Sequence, residues 1–338
     1  MPDIAYQYRG SLVDQIHRGH IVAADHNGKI LWYWGDPTRV IFARSASKPI
    51  QAIPVVESGA AEAFGIADDE LAVICASHNG EPVHIQTVAR ILGKAGLTAD
   101  FLRCGAEYPM YIPAEDALKK AGEPRRAIYC DCSGKHAGML LTARHLGGPL
   151  DSYDQPEHPV QKRITSTLLD MCGTGPEELS TAIDGCGVPV HALPLYRFAQ
   201  GYARMSIPDL FPAGRAQAVR RITGAMTENP YMVAGAERIC TYLMEHFGDR
   251  LFCKSGASAF YAIGLKGRGI GIAVKLEDGA SSLIPYVLLR VLYSMEVISA
   301  DELAGLTEYQ DMNIYNNHHT PVGRTELVFH LQPGESGN

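Results

Sequence analysis

Arg44-Ser-Ala-Ser-Lys-Pro-Ile-Gln51 is the stretch from which the rest of the chain is read. Proline is favoured in the first turn of a helix, so Pro49 marks a helix start, and Ile50, Ile53 and Val56 then recur at helical spacing to residue 57. Ser45 and Lys48 lie three apart across that start and share one face. A serine hydroxyl is a poor nucleophile until a base takes its proton. A lysine is such a base when burial or a nearby cation lowers its pKa, and Arg44 or a second lysine supplies the cation. The same residues also suit a helix capped by Ser45 or Ser47, with Lys48 in solvent.

Upstream, His20–Asp25 and Lys29–Trp34 read as two strands joined at an Asn27-Gly28 turn. Downstream, Leu71–Cys75 is an apolar run that reads as a short buried strand delivering the polar turn Ser77-His78-Asn79-Gly80, and a helix follows over 82–95. Helices are expected at 136–146, 157–172, 195–205, 215–227, 236–247, 282–298 and 301–309. Ala259–Leu265 and Ile270–Leu276 form a second hairpin, and Glu326–Leu331 alternates as a late strand. Strands at both ends with helices between them make an α+β layout: an antiparallel sheet from about 1–75 and 250–335, and a helical part over about 80–248, in one unit spanning 1–338.

Three further groups bear chemistry. Ser77-His78-Asn79 is an SxN triplet and Lys254-Ser255-Gly256 a K-S/T-G triplet, and their order after Ser45-x-x-Lys48 is that of penicillin-recognising serine enzymes. The short gap from Ser45 to Ser77 and the long one to Lys254 depart from an ordinary β-lactamase. Cys130-Asp-Cys-Ser-Gly-Lys-His136, with Asp184-Gly-Cys-Gly187, offers thiolates, carboxylates and an imidazole of the kind that hold zinc, though not at paired-knuckle spacing; buried reduced cysteines are the alternative. Cys172 and Cys240 read as core. The remaining histidines take no role, and Gly267-Arg-Gly-Ile-Gly271 turns a hairpin rather than cradling a phosphate.

Composition narrows the partners. With 46% hydrophobic and 20% charged residues the chain is globular, and a formal charge of −7 leaves no basic excess for nucleic acid. The N-terminal twenty residues lack the apolar core of an export signal, and Ser281–Ala300 is broken by Pro285, Arg290 and Glu296. A cytoplasmic protein with reduced cysteines, no membrane anchor and a small-molecule partner is expected.

Five segments in order, Tyr8–His20, Arg44–Gln51, Cys75–Glu81, Asp131–Gly138 and Asp184–Pro189, resemble the L-asparaginase II family, the Rhizobium-type class 3 enzymes, over nearly the whole chain. The resemblance implies a serine β-lactamase-like fold, a homodimer, and hydrolysis of L-asparagine to L-aspartate and ammonia. It places the family's Ser-Lys pairs on Ser45 with Lys48 and on Ser77 with Lys254. Its zinc ligands fall on Cys132, Lys135, Asp184 and Cys186, with no organic cofactor, and Arg44 and His136 become substrate contacts. Ser45 is then the nucleophile, with Lys48 as its neutral base. One departure stands out: Ser258 occupies the place of an acidic residue in K-S/T-G-A-E. The competing classes are a penicillin-type serine hydrolase and a non-catalytic zinc-bearing binding protein.

Overall fold

The computed structural model describes residues 1–334, so the sheet boundary at 335 and the end of the unit at 338 lie outside it. A long strand, Leu12–Asp25, is the spine of a nine-stranded sheet whose pairings are all antiparallel. Its first half pairs with Asp3–Arg9, which pairs in turn with Pro321–Leu327 and then Asn313–Tyr315. Its second half pairs with Ile270–Leu276, followed by Phe260–Leu265 and Leu251–Gly256. On the other side Ile21–Ala24 meets Ile30–Trp34 across the Asn27-Gly28 turn, as the sequence predicts. N- and C-terminal strands thus build one sheet around a largely helical middle, the α+β layout expected from the pattern.

The sheet's core strands are buried on both faces, which is why Phe260–Leu265 reads as a continuous apolar run. Helix Leu195–Met205 lies against Ile270–Leu276 so closely that a Cβ on Gly271 would stand 1.9 Å from the Ala199 carbonyl oxygen. Helices Lys48–Glu57, Asp68–Ile74, Ser133–His145 and Pro159–Met171 form the other layer around a shared core. The end of strand Leu251–Gly256 packs on the 3-10 turn Arg44–Ser47 that opens helix Lys48–Glu57. That contact brings Lys254 toward the first serine-lysine segment.

Three expectations need correction. Leu71–Cys75 is not a strand: Asp68–Ile74 is a helix, started by acidic residues and by the Glu70 carboxylate accepting the Ala67 N–H at 2.7 Å. This helix is buried all round its second turn, and an unbroken apolar run carries no period to separate it from a strand. The late strand expected over Glu326–Leu331 is Pro321–Leu327 instead. Beyond it Phe329 packs into the core while the chain crosses to Gln332–Pro333 beside Ile30–Trp34. The helix expected over 236–247 begins at Ile239, because Glu237 has φ 59 and breaks the turn before it. A separate small sheet of Val40–Phe42, Pro189–Pro194 and Ser180–Ile183 had no counterpart in the pattern.

Candidate active site

Two lysines from distant parts of the chain meet on one hydroxyl. Lys48 Nζ and Lys254 Nζ each lie 2.9 Å from Ser77 Oγ. Lys48 stands on the first turn of its helix and also donates to the Ala76 carbonyl at 2.7 Å, with the Asp131 carboxylate 3.5 Å away. Lys254, on the last turns of its strand, donates to the Ser255 carbonyl at 2.9 Å. Both side chains are buried, so each charge must be met by these partners rather than by water.

The two lysines are pushed in opposite directions. Burial pulls Lys254 down to about 8, and the neighbouring Lys48 ammonium adds to the effect. Burial works against the Lys48 charge too, but the Cys132 thiolate and the Asp131 carboxylate outweigh it and raise Lys48 above the ordinary lysine value. Lys254 is therefore the lysine that gives up its proton more readily; the sequence reading had expected the neutral base at Lys48. Both lysines lie within donor reach of Ser77, and once Lys254 is deprotonated Ser77 can accept from Lys48 and donate to Lys254, an ordered path for a proton.

Ser77 forms part of the floor of a cavity of about 450 Å³ that Ser45 also lines, together with Asp131, Arg238, Ala257 and Tyr261. A second cavity, of about 310 Å³, adjoins it and shares Ser45, Met110, Asp131 and Ala257. Ser45 is half-buried and faces both. Ser45 and Ala257, at the opening turn and just past the strand end, line both cavities. Lys48 makes no hydrogen bond to Ser45 among the described residues, so its nearest hydroxyl is Ser77.

The second cavity holds the cysteine cluster. It is lined by Arg44, Cys130, Cys132, Asp184 and Cys186, and Lys135 Nζ donates to Cys186 Sγ at 3.0 Å. Hydrogen bonds from Cys130 and then Cys186 hold Cys132 well below an ordinary thiol, so it is the thiolate of the group. Cys186 is pushed up by its bond to Cys132, and Cys130 by its contacts with Cys104 and Cys132. Burial opposes the Lys135 charge, and the Cys132 thiolate followed by Cys186 overrides it. The ligand atoms of Cys130, Asp131 and Cys132 also lie within 4.8 Å of one another. Sulfur donors gathered around a buried positive charge fit a soft divalent cation such as zinc, provided that Lys135 gives up its proton. Asp184 offers one free oxygen, because its Oδ1 accepts from Arg44 Nε at 2.7 Å and from the Gly185 N–H at 2.8 Å.

Of the residues singled out in the sequence, Ser45, Ser77, Lys48 and Lys254 come together, and Cys132, Lys135, Asp184 and Cys186 gather beside them. Arg44, at φ 50, lines the second cavity and donates from Nε to Asp184 at 2.7 Å. His136 is fully buried, lines neither cavity, and has Nδ1 2.7 Å from the Tyr153 hydroxyl. Asp131, shared by both cavities, was visible only as part of the cysteine cluster. Arg238 gave no signal at all, since it lies inside a stretch that reads as an ordinary helix.

Solved structures that resemble the chain include Mglu in its native form at 4.3 M NaCl, 16% identical over 85% of this chain, with a TM-score of 0.44. The chain spans 63% of that Mglu chain. A β-lactamase (Mb2281c) from Mycobacterium bovis is 15% identical over 81% of this chain and 93% of its own, with a TM-score of 0.42. No curated protein matches the sequence. Residues 5–327 match the model of the L-asparaginase II family, and the chain belongs to that family.

Proposed function

We propose that this protein is an L-asparaginase that hydrolyses the side-chain amide of L-asparagine to L-aspartate and ammonia through an acyl-enzyme. The observation that carries the reading is the Ser77 hydroxyl held between two buried lysines, one of them near neutrality, on the floor of a cavity that also exposes Ser45. Family membership supplies the substrate class.

Ser45 Oγ attacks the side-chain carbonyl carbon, its proton leaving by way of Ser77 to neutral Lys254. The Ser45 and Ala257 N–H groups receive the charge that develops on the oxygen. The proton then passes to the departing nitrogen, the C–N bond breaks, and ammonia leaves. Water hydrolyses the aspartyl ester with the same groups acting in reverse. Lys48 stays cationic, and burial first and the Lys48 charge besides ease the loss of the Lys254 proton. Cys132, Lys135, Asp184 and Cys186 would hold a zinc ion, which supplies a fixed positive charge for orienting substrate or bracing the loops. A cytoplasmic homodimer of single-unit subunits completes the reading.

A second assignment, Ser77 as nucleophile, is favoured by one observation: it is the hydroxyl both lysines touch. Ammonia release from L-asparagine, L-glutamine and small amides is the first test. Ser45→Ala and Ser77→Ala are then compared by mass spectrometry after mixing with a slowly released acyl donor. An adduct on Ser45 in the wild type, absent in Ser45→Ala and formed more slowly in Ser77→Ala, supports the first assignment, and an adduct on Ser77 replaces it with the second. Acylation by a penicillin without amide hydrolysis would mean a penicillin-type hydrolase instead, and metal without any turnover a binding protein.

A further inference from the structure

Among the described residues, three charged side chains line the larger cavity: Asp131, Glu237 and Arg238. Asp131 is already beside the Lys48 ammonium at 3.5 Å. Arg238 faces the cavity without a carboxylate partner among the described residues; its Nη1 meets Asn79 Oδ1 at 3.3 Å and the Met110 sulfur at 4.0 Å, and its Nε and Nη2 have no protein acceptor there. Glu237, next to it, makes no ion pair or hydrogen bond among the described residues. A guanidinium and a carboxylate, adjacent and both open, line the same cavity as the two serines.

This segment is built rather than loose. Asn79, the third residue of the SxN triplet, orients Arg238 and is itself fixed by donating to Glu81 at 3.2 Å and to the Ala236 carbonyl at 2.9 Å. Glu81 also accepts the Ala236 N–H at 3.0 Å and the Tyr231 hydroxyl. Gly235, at φ 105, lets the loop close onto these groups: a Cβ there would stand 2.4 Å from Glu81 Oε1 and 2.8 Å from Asn79 Cβ. Glu237 holds a left-handed conformation, φ 59, that non-glycine residues rarely adopt, and strain of this kind collects where a side chain must be aimed.

We propose that Arg238 and Glu237 form a clamp for a free amino acid, Arg238 taking the α-carboxylate and Glu237 the α-ammonium, so that the side-chain amide is left to the serines. The proposal rests on the asparaginase reading and adds where the rest of the substrate goes. A guanidinium pairs with a carboxylate through two parallel N–H donors, and such charge-assisted bonds are the strong ones in a partly enclosed site. Arg44 does not compete for the role because it lines the second cavity, not this one, and its Nε donates to Asp184. The carboxylate comes from Glu237 because Ser258, where the family pattern has an acid, sits exposed in a turn at φ 57 and does not line the cavity.

Three amides separate the two halves of the clamp: L-asparagine, succinamic acid without the amine, and 3-aminopropanamide without the carboxylate. Arg238→Ala is expected to lower kcat/KM for asparagine and succinamate roughly 10- to 100-fold more than for 3-aminopropanamide, mostly through KM, with Arg238→Lys in between. Glu237→Gln reverses the pattern, penalising asparagine and 3-aminopropanamide while sparing succinamate. Equal loss on all three amides, or no loss on asparagine in variants with unchanged circular dichroism and melting, overturns the clamp. If Arg238→Ala does not fold, the lysine and Glu237→Gln variants decide it. Should the wild-type protein release no ammonia from any amide, the asparaginase reading fails. The clamp is then judged by calorimetric binding of L-aspartate, which Arg238→Ala must weaken to the same degree.

Discussion

Lys48 and Lys254 share a hydroxyl and a buried setting, yet their neighbours push them in opposite directions. Lys48 sees the Cys132 thiolate and Asp131; Lys254 sees burial first and the Lys48 charge besides. A general base works best when its pKa lies near the working pH, and about 8 meets that condition where an ordinary lysine would not. The sign follows directly. Below about 8 Lys254 is an ammonium with no free electron pair, so turnover should climb as pH is raised through that value and level off above it. Lys254→Met is expected to cost about 10²- to 10⁴-fold in kcat while leaving the fold intact. A pH–rate profile of the wild-type enzyme checks the first expectation, and a profile flat between pH 7 and 9 would remove Lys254 from the role of base.

At the scale of elements, the site depends on how closely the helical layer seats on the sheet. Gly271 permits the contact between helix Leu195–Met205 and strand Ile270–Leu276, since an added Cβ would fall 1.9 Å from a backbone oxygen that has no rotamer to relieve it. Gly271→Ala should therefore destabilise by about 3 kcal/mol in urea unfolding, the upper range for an overpacked core. Gly214→Ala, at a helix position where a Cβ meets nothing within 4 Å, should change little or stabilise. Equal midpoints for the two variants would show that the layers are not locked at this point. The same close packing limits what a pattern can tell. Helix Lys48–Glu57 was legible because Pro49 and the apolar spacing are local signals, and Ser45 and Lys48 came with it. The small sheet was not: Ser180–Ile183 is exposed, and its strands exist only through pairings between distant segments. Ser77 and Lys254 joined Ser45 through a resemblance to known enzymes, not through spacing. Arg238 reaches the site through Asn79, far away in the chain, and no single-segment reading contains that contact.

For the whole molecule, the buried imidazoles set an acid limit. His78, His84 and His191 are almost wholly buried. Burial holds each below the ordinary histidine value, with His191 down to about 4. His78 and His84 stack at 5.2 Å, so a proton on either would also face its neighbour. In the unfolded chain these groups take up protons near pH 6.5, while in the folded chain they stay neutral. Below that pH the unfolded state binds more protons, and linkage then requires stability to fall as pH falls, ceasing only when the folded histidines protonate as well. His191 contributes up to about 1.4 kcal/mol per pH unit between about 6.5 and about 4, and His78 and His84 act in the same direction. Against a total of about 5–15 kcal/mol for a folded domain, that is a sizeable loss by pH 5. Urea midpoints measured from pH 7 down to pH 5 should fall steadily. His191→Gln, which can keep a hydrogen bond to the Thr165 hydroxyl now 2.9 Å from His191 Nε2, should reduce the slope by about 1.4 kcal/mol per unit. A slope that does not change in this variant would place the acid sensitivity in the paired carboxylates instead.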